Sequence, residues 1–415
     1  MKKRLCVLGM IVMALGAAVN VYADDNEYVP GVTVEEDADS PTGYTAVFIY
    51  EDEKAETVKL SGSFGMATDE HEQGVEPEYT SPHEWQDGMF PIGQETYSEE
   101  MEKVEGTDLW IDKLPLPSGH YQYCFYVDDS ETRVYDPTNP PSASSVEGGG
   151  AYTRSVFDVP YDEEKQPNET DFSFAAKRTD DQKGEVSYVA YEDLSGETRS
   201  MGVYLPYGYD AEREEGYKVL YLAHGTGGNE AFWFGGGAAA EIFDNLIAEG
   251  TTEPTIVVTM NAELYLAEGE EFEWDYDMCI DNIMNAIIPY IEENYNVDTN
   301  PESRAFAGLS RGAMLATKVY FDHAKDFNYF GFFSGAMNKL DWENADAEEL
   351  AEPDIMMGCG IYDFALNMDG LSMETFDATM TELGIEHSVL KVNGAHEWFT
   401  WMQLLYNFAG EHLWK

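Results

Sequence analysis

Cations are scarce in this chain of 415 residues: 23 Lys and Arg stand against 80 Asp and Glu, for a formal net charge of −57. Such a field repels nucleic acid and anionic membranes, so neither is an expected partner, and it favours a dispersed, soluble state. Cysteine is rarer still, with four in all. Cys6 falls in an N-terminal apolar run, and Cys124, Cys279 and Cys359 are too few and too far apart for a disulfide framework or a zinc site. They read as small buried hydrophobes. The chain contains no HExxH, no GxxxxGK[ST] and no dinucleotide fingerprint after a strand, so neither a metal nor an organic cofactor is expected. Long apolar runs are also missing after the N-terminus, where nothing reaches the ~20 residues a membrane span needs.

What is present begins with Lys2, Lys3 and Arg4, an apolar run from Leu5 to Val19, and Val21-Tyr22-Ala23 before Asp24. A basic segment, a short apolar segment and small residues at the last and third-last positions make a secretory signal peptide, residues 1–23, with cleavage expected after Ala23. Its loss takes the net charge from −57 to −60 by removing Lys2, Lys3 and Arg4. The mature chain is then expected outside the cytoplasm and free of the membrane.

The length suffices for two or three domains. From Tyr44 to Val159, short β-branched and aromatic runs such as YTAVFIYED and HYQYCFYVDD alternate with Gly, Pro and Asp turns. This pattern predicts an all-β sandwich over 27–160. In HYQYCFYVD, Tyr121, Tyr123, Phe125 and Val127 share one strand face and Cys124 and Tyr126 the other. Residues 161–171 are polar and aperiodic and read as a linker, with a glycosylation sequon at Asn168-Glu169-Thr170. Over 172–415, the strand-length runs YKVLYLAH, PTIVVTM, RAFAG, NYFGFFS, PDIMMGC and HSVLKV alternate with helical patterns such as AAAEIFDNLIAEG and CIDNIMNAIIPYIEENY. Alternation of this kind predicts an α/β fold with a mostly parallel sheet, whose functional residues sit beyond the carboxyl ends of the strands.

One such end carries a nucleophile's surroundings. RAFAGLSRGAM is a strand, a Gly-Leu-Ser-Arg-Gly turn and the start of a helix; Gly308 and Gly312 flank Ser310 because a strained strand-to-helix turn leaves no room for side chains there. GxSxG alone is a weak signal among 37 glycines, and it is the strand before and the helix after that give it weight. A serine needs a base. His396, in the Gly-containing loop of VNGAHEWFTW after the last apolar strand, is placed for that role, whereas His323, His387 and His412 are not. The orienting acid should lie between serine and histidine. Asp363, immediately past the strand in IMMGCGIYDF, is the first candidate; Asp369 and Glu374 are alternatives, and Asp354 precedes the strand at its wrong end. Upstream, VLYLA runs into HGTGG, and the backbone N–H groups of Thr226 and Arg311 are the expected oxyanion hole, with His224 bracing the loop. Trp233, Trp274, Trp398 and Trp401 are candidate walls of the substrate pocket.

The blocks YLAHGTGGNEAFW, PTIVVTMN, IPYIEENYNV, RAFAGLSRGAM, GIYDF and GAHEWFTW resemble, in order, those of carbohydrate esterase family one, the esterase D or feruloyl and acetyl-xylan esterase group, from about Val186 to Trp401. The resemblance implies an α/β-hydrolase with a Ser310, Asp363, His396 triad acting on a plant cell-wall acyl ester. LSGSF, DLWIDKLPLPSGHYQYCFYVDD and VYDPTNP are similar to the early-set, immunoglobulin-like domain found before such esterases. In that domain Trp110, Tyr121 and Tyr123 would either stack on sugar or fill the core, and Asp136-Pro137-Thr138-Asn139-Pro140 reads as a structural turn. Two departures from the family pattern, Arg311 after the nucleophile and Met402 after Trp401, leave the mechanism intact and the acyl preference open. The rivals are a siderophore esterase and a non-catalytic carbohydrate-binding protein on a hydrolase fold.

Overall fold

A computed structural model describes residues 28–68, 70–93, 97–128, 130–266 and 274–415. The expected signal peptide lies outside the described residues. Up to Val159 every strand pairing is antiparallel. One sheet runs in the order Gly31–Glu36, Tyr44–Glu51, Leu109–Pro115, Glu102–Lys103; the second runs Ser155–Val159, Gly119–Val127, Val58–Gly62, Tyr97–Glu100. Rings close the space between them: Phe48 of the first sheet lies 5.3 Å from both Tyr123 and Phe157 of the second. This is a β-sandwich with an aromatic core.

Three details of that half depart from or sharpen the expectations. Trp110, Tyr121 and Tyr123 are buried, the two tyrosines completely, so they have no face to offer a sugar and the core reading replaces the stacking one. Asp136 makes the structural turn, accepting from the N–H and hydroxyl of Thr138 and from the hydroxyl of Tyr123. The polar segment 161–171, expected as a linker, is strapped to the sandwich. Gln166 is buried, donates to the Thr42 carbonyl and accepts from Ser118 N–H, and Lys165 donates to the carbonyls of Ala38 and Ser40. Polarity alone does not mark a free linker when backbone acceptors are in reach.

The second half is built on an eight-stranded sheet: β1 (Glu185–Glu192), β2 (Thr198–Leu205), β3 (Lys218–Ala223), β4 (Thr255–Thr259), β5 (Arg304–Leu309), β6 (Tyr329–Phe333), β7 (Asp354–Gly360) and β8 (Ser388–Val392), in the order β1-β2-β4-β3-β5-β6-β7-β8. β2 pairs antiparallel with β1 and β4, and every other pairing is parallel. The β1–β2 hairpin turns at residues 193–197. The inner residues of the central strands are apolar because they are buried on both sides. Leu220 and Leu222 join the core under α1 (Ala239–Glu249), whereas Val219, Tyr221 and Ala223 join the core on the other face with residues of α2 (Arg311–His323). The expected helix CIDNIMNAIIPYIEENY forms with a defect. Pro289 removes a donor from the ladder, and the turn before it, Ile283–Ile287, widens to π geometry.

The two halves are not separate cores. Phe399, in α3 (Trp398–Asn407), lies 5.2 Å from Tyr121 of the sandwich and 4.8 Å from Phe172, in one continuous apolar cluster. A small ribbon of the sandwich half, Gly65–Ala67 paired with Phe90–Ile92, packs with Tyr362 and Ala395, which lie in the loops that follow β7 and β8. The three cysteines are buried and unbridged.

Candidate active site

β5 ends at Leu309, and the chain must turn from strand to helix within one residue. Ser310 takes that turn at φ 54°, ψ −119°, a conformation that non-glycine residues rarely adopt. The flanking glycines are required sterically. A Cβ on Gly308 would lie 2.3 Å from the Gly312 carbonyl oxygen, and one on Gly312 would lie 2.3 Å from that of His224. The strain is held by the sheet, since Ser310 N–H donates to Phe333 of β6.

Asp363 follows β7 and His396 follows β8, so the parallel sheet delivers both to the same edge as Ser310. His396 Nε2 is 2.9 Å from Ser310 Oγ, and its Nδ1 is 2.9 Å from Asp363 Oδ1. A carboxylate acceptor at Nδ1 fixes the proton there and leaves Nε2 to accept from the serine hydroxyl. Asp363 is fully buried and accepts a second bond from Ala365 N–H at 2.8 Å, while the histidine side chain stays 14% exposed, so water reaches the base and not the acid. The ring of Phe364 lies 4.3 Å from the imidazole and that of Trp401 5.1 Å, holding it from two sides.

The other histidines and acids are elsewhere. His323 pairs with Asp326, His387 with Asp377, and His412 with Asp354, the last at the opposite end of β7. Glu374 accepts from Lys391.

The loop after β3 comes close to the nucleophile. A Cβ on Gly225 would lie 3.1 Å from Ser310 Cβ, and the Arg311 guanidinium donates through Nε to Thr226 Oγ1 at 3.0 Å, so the two residues expected to supply the oxyanion hole stand side by side. His224 lies beneath them. Its Nδ1–H donates to the Gly225 carbonyl at 2.6 Å and its Nε2 accepts from Ala262 N–H at 3.1 Å. Burial pushes its pKa down to about 4, which keeps Nε2 free of a proton and able to accept.

The four tryptophans separate. Trp233 is wholly buried and its indole N–H is used on the Ala223 carbonyl, so it is a core residue and not a pocket wall. Trp274 is also buried, 5.4 Å from the His224 ring, and backs the loop after β3. Trp398 packs on Trp233, and Trp401 alone touches the imidazole. Among the described residues no group of acidic, histidine or cysteine side chains has the arrangement to hold a metal ion.

Residues 193–411 match the profile of the Esterase family. The match covers more than half of the chain and contains Ser310, Asp363 and His396. The chain belongs to the Esterase family. Among curated relatives of this esterase, an endo-1,4-beta-xylanase/feruloyl esterase of Xylanibacter ruminicola is 32% identical over 258 residues, 58% of this chain and 33% of the relative. Endo-1,4-beta-xylanase Y of Acetivibrio thermocellus is 30% identical over 165 residues, 37% of this chain and 14% of the relative. The esterase thus spans a third or less of the length of these relatives. Among solved structures, the enterobactin esterase of Shigella flexneri superposes with a TM-score of 0.52 at 14% identity, over 91% of this chain and 95% of its own. That likeness concerns the fold, and it extends over both the sandwich and the α/β-hydrolase sheet.

Sequence reasoning missed Phe364, against the imidazole, and Glu397, next to His396 and buried. The signal for Glu397 was present: an acidic residue directly before an apolar helical run is a helix cap.

Proposed function

We propose that this esterase is a secreted serine carboxylic-ester hydrolase that removes acetyl or feruloyl groups from acylated plant polysaccharide such as xylan. The observation that carries the reading is the unbroken hydrogen-bonded line from Ser310 through His396 to Asp363, with the serine on a strained turn at the carboxyl edge of the sheet. His396 takes the hydroxyl proton as Ser310 attacks the ester carbonyl, and the Thr226 and Arg311 N–H groups receive the oxyanion. As the intermediate collapses and the ester C–O bond breaks, the imidazolium gives its proton to the departing sugar oxygen, and water then attacks the acyl-serine and releases the acid by the same route. The substrate class is supported by the 32% identity to a relative named for xylanase and feruloyl esterase activity. Secretion is supported by the basic and apolar pattern of the first 23 residues.

The test compares Ser310→Ala with the parent on a chromogenic acetate ester, on feruloylated and acetylated xylan, and on a catecholate siderophore ester. The expected result is parent activity on one of the xylans, lost in the variant. Retained turnover in Ser310→Ala would overturn the mechanism, and parent activity on the catecholate ester alone would overturn the substrate class.

A further inference from the structure

The loop that carries His396 is wound around the carboxylate of the next residue. Glu397 Oε1 accepts from Thr400 N–H at 3.1 Å and from the Thr400 hydroxyl at 3.0 Å, and Oε2 accepts from Phe399 N–H at 2.6 Å. These bonds cap α3. The remaining donor comes from the sandwich: Gly93 N–H, 304 residues earlier in the chain, donates to Oε2 at 3.0 Å. The fit leaves no slack. A Cβ on Gly93 would lie 2.4 Å from Oε2, and one on Gly394, where φ is +145°, would lie 2.9 Å from Oε1. A helix cap on a free surface needs neither burial nor a partner from another sheet, yet this carboxylate is buried and has both. The same insert of the sandwich also reaches the acid's loop. Gly74 N–H donates to the Ile361 carbonyl at 2.8 Å, and Tyr362 N–H in turn donates to Gly394 of the histidine loop at 3.0 Å.

We propose that Glu397 is a positioning residue for His396, completed by the Gly93 N–H, so that the sandwich and the α/β-hydrolase half form one catalytic unit. The proposal rests on the triad reading above. Displacement of the imidazole by a fraction of an ångström weakens its line to Ser310 without altering the surface that substrate meets, so the effect falls on kcat rather than KM.

The experiment uses the full chain with Glu397→Ala, Glu397→Gln, Glu397→Asp, Gly93→Ala and Ser310→Ala. The measurements are kcat and KM on a chromogenic acetate ester, normalised to the folded fraction from thermal melts. Glu397→Ala and Glu397→Gln should lose roughly 10- to 100-fold in kcat with KM within about twofold. Glu397→Asp keeps the cap but stops one methylene short of Gly93, and should fall between them and the parent. Gly93→Ala perturbs the carboxylate from the sandwich side and decides the question even if the Glu397→Ala chain does not fold. Parent-like kcat in folded Glu397→Gln and Gly93→Ala, with Ser310→Ala inactive, would overturn the inference and leave the triad standing. Impaired Glu397→Gln with parent-like Glu397→Asp and Gly93→Ala would overturn the share assigned to the sandwich. Turnover by Ser310→Ala would remove the reading on which the inference depends.

Discussion

The two sides of the site are held by different means. Ser310 and the loop after β3 are fixed from within the hydrolase sheet, by the Phe333 carbonyl of β6, by the Gly308 and Gly312 contacts, and by His224 below Thr226. Asp363 and His396 sit on loops whose outer faces are covered by the ribbon residues Phe90 and Ile92 of the sandwich. A nucleophile that must be strained needs a rigid frame, which a parallel sheet supplies through its own ladder. A base that needs only orientation can be held by packing from elsewhere in the chain. The esterase therefore has one half of its machinery that is autonomous and one half that depends on a long-range contact.

The largest expected effect takes one residue from each side: Ser310→Ala and His396→Ala should each lose about 10⁴-fold or more in kcat, and the double variant little beyond either alone, as measured by steady-state kinetics. Second comes the brace of the loop after β3. His224→Ala leaves the Ala262 N–H without its acceptor and loosens Thr226, and should cost about 10²-fold in kcat, near the value of one lost oxyanion donor. If it costs nothing, the loop is rigid without its histidine. Third, Ile92→Ala in the ribbon should lower stability by about 2–5 kcal/mol in denaturant melts and also reduce kcat of the folded enzyme, whereas an equally buried truncation remote from the site, Ile291→Ala, should lower stability alone. Equal kcat in both variants would erase the difference between the two sides.

The smallest effect concerns pH. His120, in the sandwich, has Nδ1 2.7 Å from Asp158 and Nε2 3.0 Å from the Gly235 carbonyl, so both nitrogens face acceptors. Burial disfavours its charge, but the hydrogen bond to Asp158 and the charges of Asp158 and Glu241 outweigh that and raise the pKa. A raised imidazole stabilises the fold fully below its ordinary value near 6.5 and loses that contribution as pH rises through the folded value. Burial pushes the Glu397 carboxyl up to about 7 against its hydrogen bonds, with Tyr79 facing it from the sandwich. A raised carboxyl makes ionisation costly to the fold, so stability falls as pH climbs from the ordinary value of 4.5 to about 7. Both groups lie where the halves meet and act in the same direction. Thermal melts should therefore show Tm declining by a few degrees from about pH 5 to pH 8, with a shallower decline in His120→Gln. A flat profile in the parent would show that neither group titrates differently on folding.

Ser310, Asp363 and His396 were legible because each lies just past a strand-length apolar run, in the order Ser, Asp, His, and a parallel sheet brings all such ends to one edge. The order of the eight strands was not legible, nor was the β1–β2 hairpin, whose run SYVAYED does not alternate polar and apolar residues. The tryptophans show the same boundary. Sequence offered four, all of them buried, and their contacts separated Trp401, at the imidazole, from Trp233, spent on the Ala223 carbonyl. Trp110, Tyr121 and Tyr123 were ambiguous for a similar reason, since an aromatic in a strand serves a core or a sugar equally well until its other face is known.

By itself, then, the sequence determined the class of fold and the meeting of Ser310, Asp363 and His396 at one sheet edge, because hydrophobic period and turn chemistry are local and the sheet converts chain order into position. Only the tertiary structure decided what holds His396 in place, because Gly93 and Glu397 are 304 residues apart and no local pattern encodes their meeting. That contact depends on how two separately patterned halves bury a shared face.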